Sequence, residues 1–227
     1  DSTTSTAFSS PTGSPSEERR WSKAGSGSSP ARESGSDLEM PRVVFFGSPD
    51  FAVPSLKALH GSEYSPALVV TQPDRPSGRG RKTSPTPVRK AAVELGLPVM
   101  VMESFRDGES FERLASLEPD LFIVVAFGLI FPKKALSLPA IDCINVPASL
   151  LPRWRGASPI NMAVAAGDSE TGVSIMRMVR ALDAGPVYAA RKVKIGPDQT
   201  AGELFSVLAE EGASLLVENL DAIVSGG

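Results

Sequence analysis

The sequence predicts an α/β fold, an open and mostly parallel sheet with helices on both faces, and two observations carry that prediction. Beyond residue 40 short apolar runs recur, and between them lie stretches whose apolar residues return at helical spacing. Strands separated by helices need crossover connections, which bring successive strands parallel and lay the helices on the sheet. The runs are also apolar throughout rather than alternating, as strands covered on both faces require.

In chain order, Val43-Val44-Phe45-Phe46 reads as a buried strand ending at Gly47. Residues 50–60 then read as a helix with Asp50 as N-cap and with Phe51, Val53, Leu56 and Leu59 on one face. The pattern continues as strand 67–71, helix 87–95, strand 98–102, helix 109–117, strand 121–126 and strand 142–146. Residues 172–179 and 186–195 read as two extended strands. Residues 200–224 form one long amphipathic helix facing inward through Leu204, Val207, Leu208, Leu215 and Leu216. Together these elements make a Rossmann-like open sheet.

With 227 residues, 41% hydrophobic and 22% charged, the chain has room for one sizeable domain, residues 41–227, and an appendage. The appendage is residues 1–40. Its Ser, Thr, Gly and Pro leave almost no aliphatic surface to offset the entropy of ordering, so it is expected to be disordered. Arg19, Arg20 and Arg32 among serines suggest a transit peptide for a mitochondrion or chloroplast. Glu17, Glu18, Glu33, Asp37 and Glu39 favour a plain linker instead, with Met40 as a cytoplasmic start. Beginning at Asp1, the chain is expected to be a fragment or a processed product. A net charge of −3 excludes coating of nucleic acid by bulk positive charge and leaves only local basic patches. Cys143 is the single cysteine, so neither an internal disulfide nor a Cys-cluster metal site can form, and its apolar setting reads as a buried core thiol. No apolar run approaches the ~18 residues of a membrane span.

Open α/β sheets bind ligands beyond the carboxyl ends of their strands, which directs attention to loops 47–50, 72–87, 126–132 and 145–156. The first, Gly47-Ser48-Pro49-Asp50, lacks the G-x-G-x-x-G of a dinucleotide site. The second is long and carries Arg75, Arg79, Arg81 and Lys82 on a backbone punctuated by Gly78 and Gly80. It reads as a basic arm tracking phosphates or as a solvated loop, and it is not a P-loop. The third, with Phe127, Gly128 and Leu129, is either core or the wall of a pocket for a flat ring system. The fourth runs Asn145-Val146-Pro147-Ala148-Ser149-Leu150-Leu151-Pro152, and some way downstream comes Leu182-Asp183-Ala184-Gly185-Pro186. Asn145 brings an amide donor and Asp183 a carboxylate; taken singly, each reads as a turn residue. A cis Leu151–Pro152 bond is the hypothesis for the shape of this loop.

Taken together, VVFFGSPDFAVPSL, TQPDRPSGRGRK, VVAFGLIFP, INVPASLLPRWRGASPI, TGVSIMRM and LDAGPV closely resemble the formyltransferase domain of the methionyl-tRNA formyltransferase family, over roughly residues 41–225. The Asn-x-His-x-Ser-Leu-Leu-Pro and Leu-Asp-x-Gly patterns are shared by folate-dependent formyltransferases at large, whereas the basic loop looks like the tRNA-formylating branch. The resemblance implies the formyltransferase fold. It implies transfer of a formyl group from 10-formyltetrahydrofolate to the amino group of initiator methionyl-tRNA in translation initiation, by a monomer without metal or membrane. It also implies that Asn145 stabilises an oxyanion and that Asp183 holds a histidine and relays protons. Ser149, Leu150, Leu151 and Pro152, with Phe127, Gly128 and Leu129, would contact folate, and Arg75, Arg79, Arg81 and Lys82 would contact tRNA.

One departure stands at the centre of the site. The family pattern has histidine where this chain has Pro147, and the sole histidine, His60, ends the first helix and does not match the motif. Proline supplies neither a side-chain donor nor a backbone N–H. Losing an oxyanion donor costs about 10²–10³ in rate, and acid–base help is worth about 10²–10⁴, so impaired transfer is expected. Three accounts of Pro147 stay open: a one-base error in the sequence, a real inactivating change, or a domain retained to bind folate or tRNA. The family also carries a C-terminal domain beyond the point where this chain stops, which is expected to weaken tRNA binding.

Overall fold

The computed structural model describes residues 40–77 and 82–226. A seven-stranded sheet runs in the order β5-β2-β1-β6-β7-β8-β9, where β1 is Val43–Gly47, β2 Leu68–Thr71, β5 Val99–Val101, β6 Leu121–Val125, β7 Asp142–Asn145, β8 Glu170–Arg177 and β9 Val187–Lys194. The first five strands in that order are parallel, while β8 and β9 close the edge antiparallel. The chain moves outward from β1 through β2 to β5, then returns to the other side of β1 as β6. This reversal opens a crevice beyond the carboxyl ends of β1 and β6.

Alternate residues of the buried strands feed two cores. Val43, Phe45, Ile123, Ile144 and Val146 face one side, where α1 (Val53–His60), α2 (Pro87–Glu94), α5 (Pro159–Ala165) and α6 (Ala201–Val224) cover them. Val44, Phe46, Phe122, Val124 and Cys143 face the other, under α3 (Gly108–Ala115) and α4 (Lys133–Leu136). Phe46 centres this second core, with Phe122, Phe127 and Phe131 meeting it edge-on at ring separations of 4.9, 5.3 and 5.1 Å. Local signals set the helix starts. Thr86 caps α2 by accepting from the Arg89 N–H, Asp107 caps α3, and Thr200 with Glu203 forms a capping box at α6.

Several sequence readings are corrected. Asp50 caps nothing: it opens a short 3-10 turn, Asp50–Ala52, ahead of α1. Val207 is 39% exposed on the solvent side of α6, because its neighbours Leu204 and Leu208 take the inward positions. Helices α4 and α5 arise in stretches to which the sequence reading assigns no element, each starting beside a proline. The long basic connection holds an antiparallel hairpin, β3 (Arg75–Ser77) with β4 (Lys82–Ser84).

Tyr64, beyond α1, donates a 2.6 Å hydrogen bond to Asp221 Oδ1 on α6 and ties these two helices at the far end from the crevice. Burial first, and then the Asp221 hydrogen bond and charge, push its hydroxyl up to about 12. The native state thus holds this proton more tightly than the unfolded chain, whose tyrosines titrate near 10. The contribution of Tyr64 is therefore expected to be intact below about pH 10 and to be lost between about 10 and 12. Tyr64→Phe should flatten that part of the fall in pH-dependent denaturation, leaving the shares of Tyr188, whose hydroxyl is raised by burial and by Asp142, and of the Cys143 thiol, raised by burial. Phe46→Ala should cost about 3–5 kcal/mol, a Tm drop of roughly 6–20 °C by calorimetry.

Candidate active site

The alternation of β7 determines what the site presents. Ile144, Val146 and Ala148 are buried on the α6 side, so Asn145 and Pro147 face the opposite way, at the carboxyl end of the strand. Asn145 lies between Val124 of β6 and Met176 of β8. Its Nδ2 donates to Asp183 Oδ1 at 3.3 Å, and the Gly156 N–H donates to Asp183 Oδ2 at 2.9 Å. One carboxylate thus joins the 145–156 loop to the 178–186 loop and orients the Asn145 amide. A second amide hydrogen remains on Nδ2 for a charge developing beside it. Asp183 itself has φ of 46°, and two residues on, a Cβ at Gly185 would stand 1.9 Å from the Arg177 carbonyl oxygen. Only glycine lets this loop lie so close to β8.

The run after Pro147 is braced from β8. The Pro147 carbonyl accepts from the Ser174 N–H at 3.1 Å, and Ser174 Oγ donates to the Ser149 carbonyl at 2.8 Å while accepting from the Leu151 N–H at 3.3 Å. The Leu151–Pro152 peptide is cis. Ser149 is 1% exposed, and its hydroxyl is enclosed without a hydrogen-bond partner among the described residues, so this side chain does not reach the surface. Leu150 turns the other way and lines a cavity of about 230 Å³ with Arg153, Trp154 and Asp168. Arg153 grips Asp168 through Nε at 2.9 Å and Nη2 at 2.6 Å, and the Trp154 indole donates to the same carboxylate at 2.7 Å. The Arg153 and then the Trp154 hydrogen bonds hold the Asp168 carboxyl below its usual range.

The loop leaving β6 forms the neighbouring wall. Ala126 and Gly128 both have positive φ, 48° and 81°. Phe127 is 2% exposed and belongs to the aromatic core rather than to a pocket wall, whereas Leu129 is half-buried and Ile130 is 86% exposed. Leu182, 70% exposed, lies across the site near Gly156. Five non-glycine residues among those described have positive φ; three of them, Ala126, Trp154 and Asp183, lie in these loops, and a fourth, Ser158, comes two residues after Gly156. Such backbone costs of order 1–3 kcal/mol each and collects where function holds it.

The root of the basic loop is fastened at several points. Thr71 and Thr86 hydroxyls meet at 2.6 Å, the Gln72 N–H donates to Ser48 Oγ at 3.1 Å, and Arg89 pairs with Asp74 at 2.8 Å. Arg79 and Arg81 lie outside the described residues, and Arg75 and Lys82 are described as backbone only. His60 ends α1 beside Ser65, at the amino-end side of the sheet, remote from Asn145. Among the described residues no cluster of His, Cys, Asp and Glu could hold a metal, and no helix is long and apolar enough to cross a membrane. Ser174, Gly156 and Gln72, all structural parts of the site, lie within the quoted motifs, yet nothing in the motifs announces these contacts: two act through backbone or a single hydroxyl, and the third sits in a stretch dominated by its charges.

A family model described as formyl transferase matches residues 41–220. Methionyl-tRNA formyltransferase of Methylococcus capsulatus is 52% identical over 184 residues, 81% of this chain and 60% of that protein. The enzyme of the same name from Moorella thermoacetica is 50% identical over 81% of this chain and 59% of its own length. The chain thus spans about 60% of the length of these curated relatives. Among solved structures, glycinamide ribonucleotide transformylase 1 from Symbiobacterium toebii superposes with a TM-score of 0.69 at 18% identity, covering 86% of this chain and 94% of that one. Phosphoribosylglycinamide formyltransferase from Anaplasma phagocytophilum gives 0.66 at 22%, over 82% and 88%. The sheet order, the strand-end position of Asn145 and the match over residues 41–220 agree: the chain belongs to the formyl transferase family.

Proposed function

We propose that this chain carries the formyl-transferring site for initiator methionyl-tRNA, with 10-formyltetrahydrofolate as donor, and that Pro147 holds its rate far below what the rest of the site would allow. The observation that carries the reading is the Asn145–Asp183–Gly156 arrangement at the end of β7. In the transfer, the methionyl amine forms a C–N bond to the formyl carbon, the bond from that carbon to the folate nitrogen breaks, the amine loses a proton and the folate nitrogen gains one. Negative charge gathers transiently on the formyl oxygen. The free hydrogen of the Asn145 amide is placed to meet that charge, and Asp183 keeps the amide from rotating away. The side chain at position 147 shares the face of Asn145, which is where an imidazole would add a second donor and a group that titrates near neutrality. Ile130 and Leu182 offer apolar surface for the flat part of a folate, and the basic hairpin supports phosphate contacts to tRNA. The Ser- and Arg-bearing leader supports delivery to a mitochondrion or chloroplast.

The same Pro147 favours a second reading, a silent module that binds folate or tRNA. Formylation of charged initiator tRNA separates the two: Pro147→His should raise the rate by about 10²–10³. Equal rates in both proteins would refute the assignment of the missing donor; a histidine variant that binds 5-formyltetrahydrofolate yet forms no product would establish the silent module. A fluorescent fusion of the whole chain should enter an organelle, and a diffuse cytoplasmic signal would remove that assignment.

A further inference from the structure

Gln72 leaves β2, and its side chain crosses the carboxyl end of β1 to reach the loop that follows β6. Two strand spacings, about 10 Å, separate β2 from β6, and Gln72 Nε2 donates to the Phe127 carbonyl at 2.6 Å. That carbonyl is available because the backbone turns on either side of it, at Ala126 with φ of 48° and at Gly128 with φ of 81°. The fit is close: a Cβ on Gly128 would lie 2.8 Å from Gln72 Nε2. The loop so held begins two residues after Val124, the partner of Asn145 across the β6–β7 pair. The backbone of Gln72 is fastened separately, by Ser48 Oγ, and the residues around it by the Thr71–Thr86 and Asp74–Arg89 contacts.

We propose that Gln72 is a positioning residue: its side chain sets the conformation of residues 126–129 as the wall beside Asn145. The proposal rests on the reading of that wall as part of the donor site. Removing the amide frees the wall, and the folate side loses the hydrogen-bonded shape of its pocket.

Gln72→Met keeps the length of the side chain and removes the donor. It should weaken binding of 5-formyltetrahydrofolate about fivefold, the worth of one hydrogen bond. Amide hydrogen exchange over residues 127–130 should speed up by a similar factor while the melting temperature moves little. Unchanged exchange there together with unchanged folate affinity would overturn the proposal, as would a fall in melting temperature that matches the loss of affinity, which marks a general structural role. If the parent chain binds no 5-formyltetrahydrofolate, the donor-site reading fails by itself; the strut then stands or falls on the exchange measurement, faster exchange in the variant supporting it and unchanged protection refuting it.

Discussion

The site depends on the two-residue period of a single buried strand. Burial of Ile144, Val146 and Ala148 beneath α6 contributes roughly 1.5–3 kcal/mol for each larger side chain, and a shift of register by one residue would forfeit all of it. That penalty holds Asn145 and residue 147 on the opposite face, beside the β6 loop. What the protein presents at this end of β7 is therefore decided by what it hides. The Asp183 carboxylate then joins two loops that come from distant parts of the chain, and Gly185 permits the close approach to β8 that brings it there.

Pro147 fits this frame without disturbing it. Its carbonyl still accepts from the Ser174 N–H, so the strand pairing on that side continues past β7, and the Ser174 hydroxyl goes on to brace the Ser149–Leu151 backbone. The backbone requirement at 147 is an acceptor, and proline meets it. Under the proposed function the chemical requirement is a side chain, so that fold and activity would be separable at this position.

Much of this was legible beforehand, for identifiable reasons. The strands were, because continuous apolar runs of Val, Ile and Phe have few other uses; so were the strand-end loops, since an open parallel sheet leaves its ligand side at one edge. Asn145 and Asp183 could be named from their motifs, and the fold brings them within hydrogen-bonding distance. Phe127, Ser149 and Val207 could not be placed correctly by pattern alone. An apolar residue after a strand can turn inward or outward, and the φ values on either side of Phe127 decide which. Ser149 continues the alternation of β7 but is covered by β8, an antiparallel neighbour that enters from later in the chain. Val207 loses its inward position because Leu204 and Leu208 fill the stripe that α6 lays on the sheet.

The sequence by itself determined the fold class, the strands and the pair of polar residues around which the site is built, since each depends on short-range periodicity or on residue type. Only the tertiary structure decided which groups stand around that pair. The Gly156 N–H on Asp183, the Ser174 hydroxyl under Leu151 and the Gln72 amide on the Phe127 carbonyl are contacts between residues 27, 23 and 55 positions apart. Hydrogen bonds of this kind have no period and no composition to announce them, because they arise where the sheet order brings separate strand ends together.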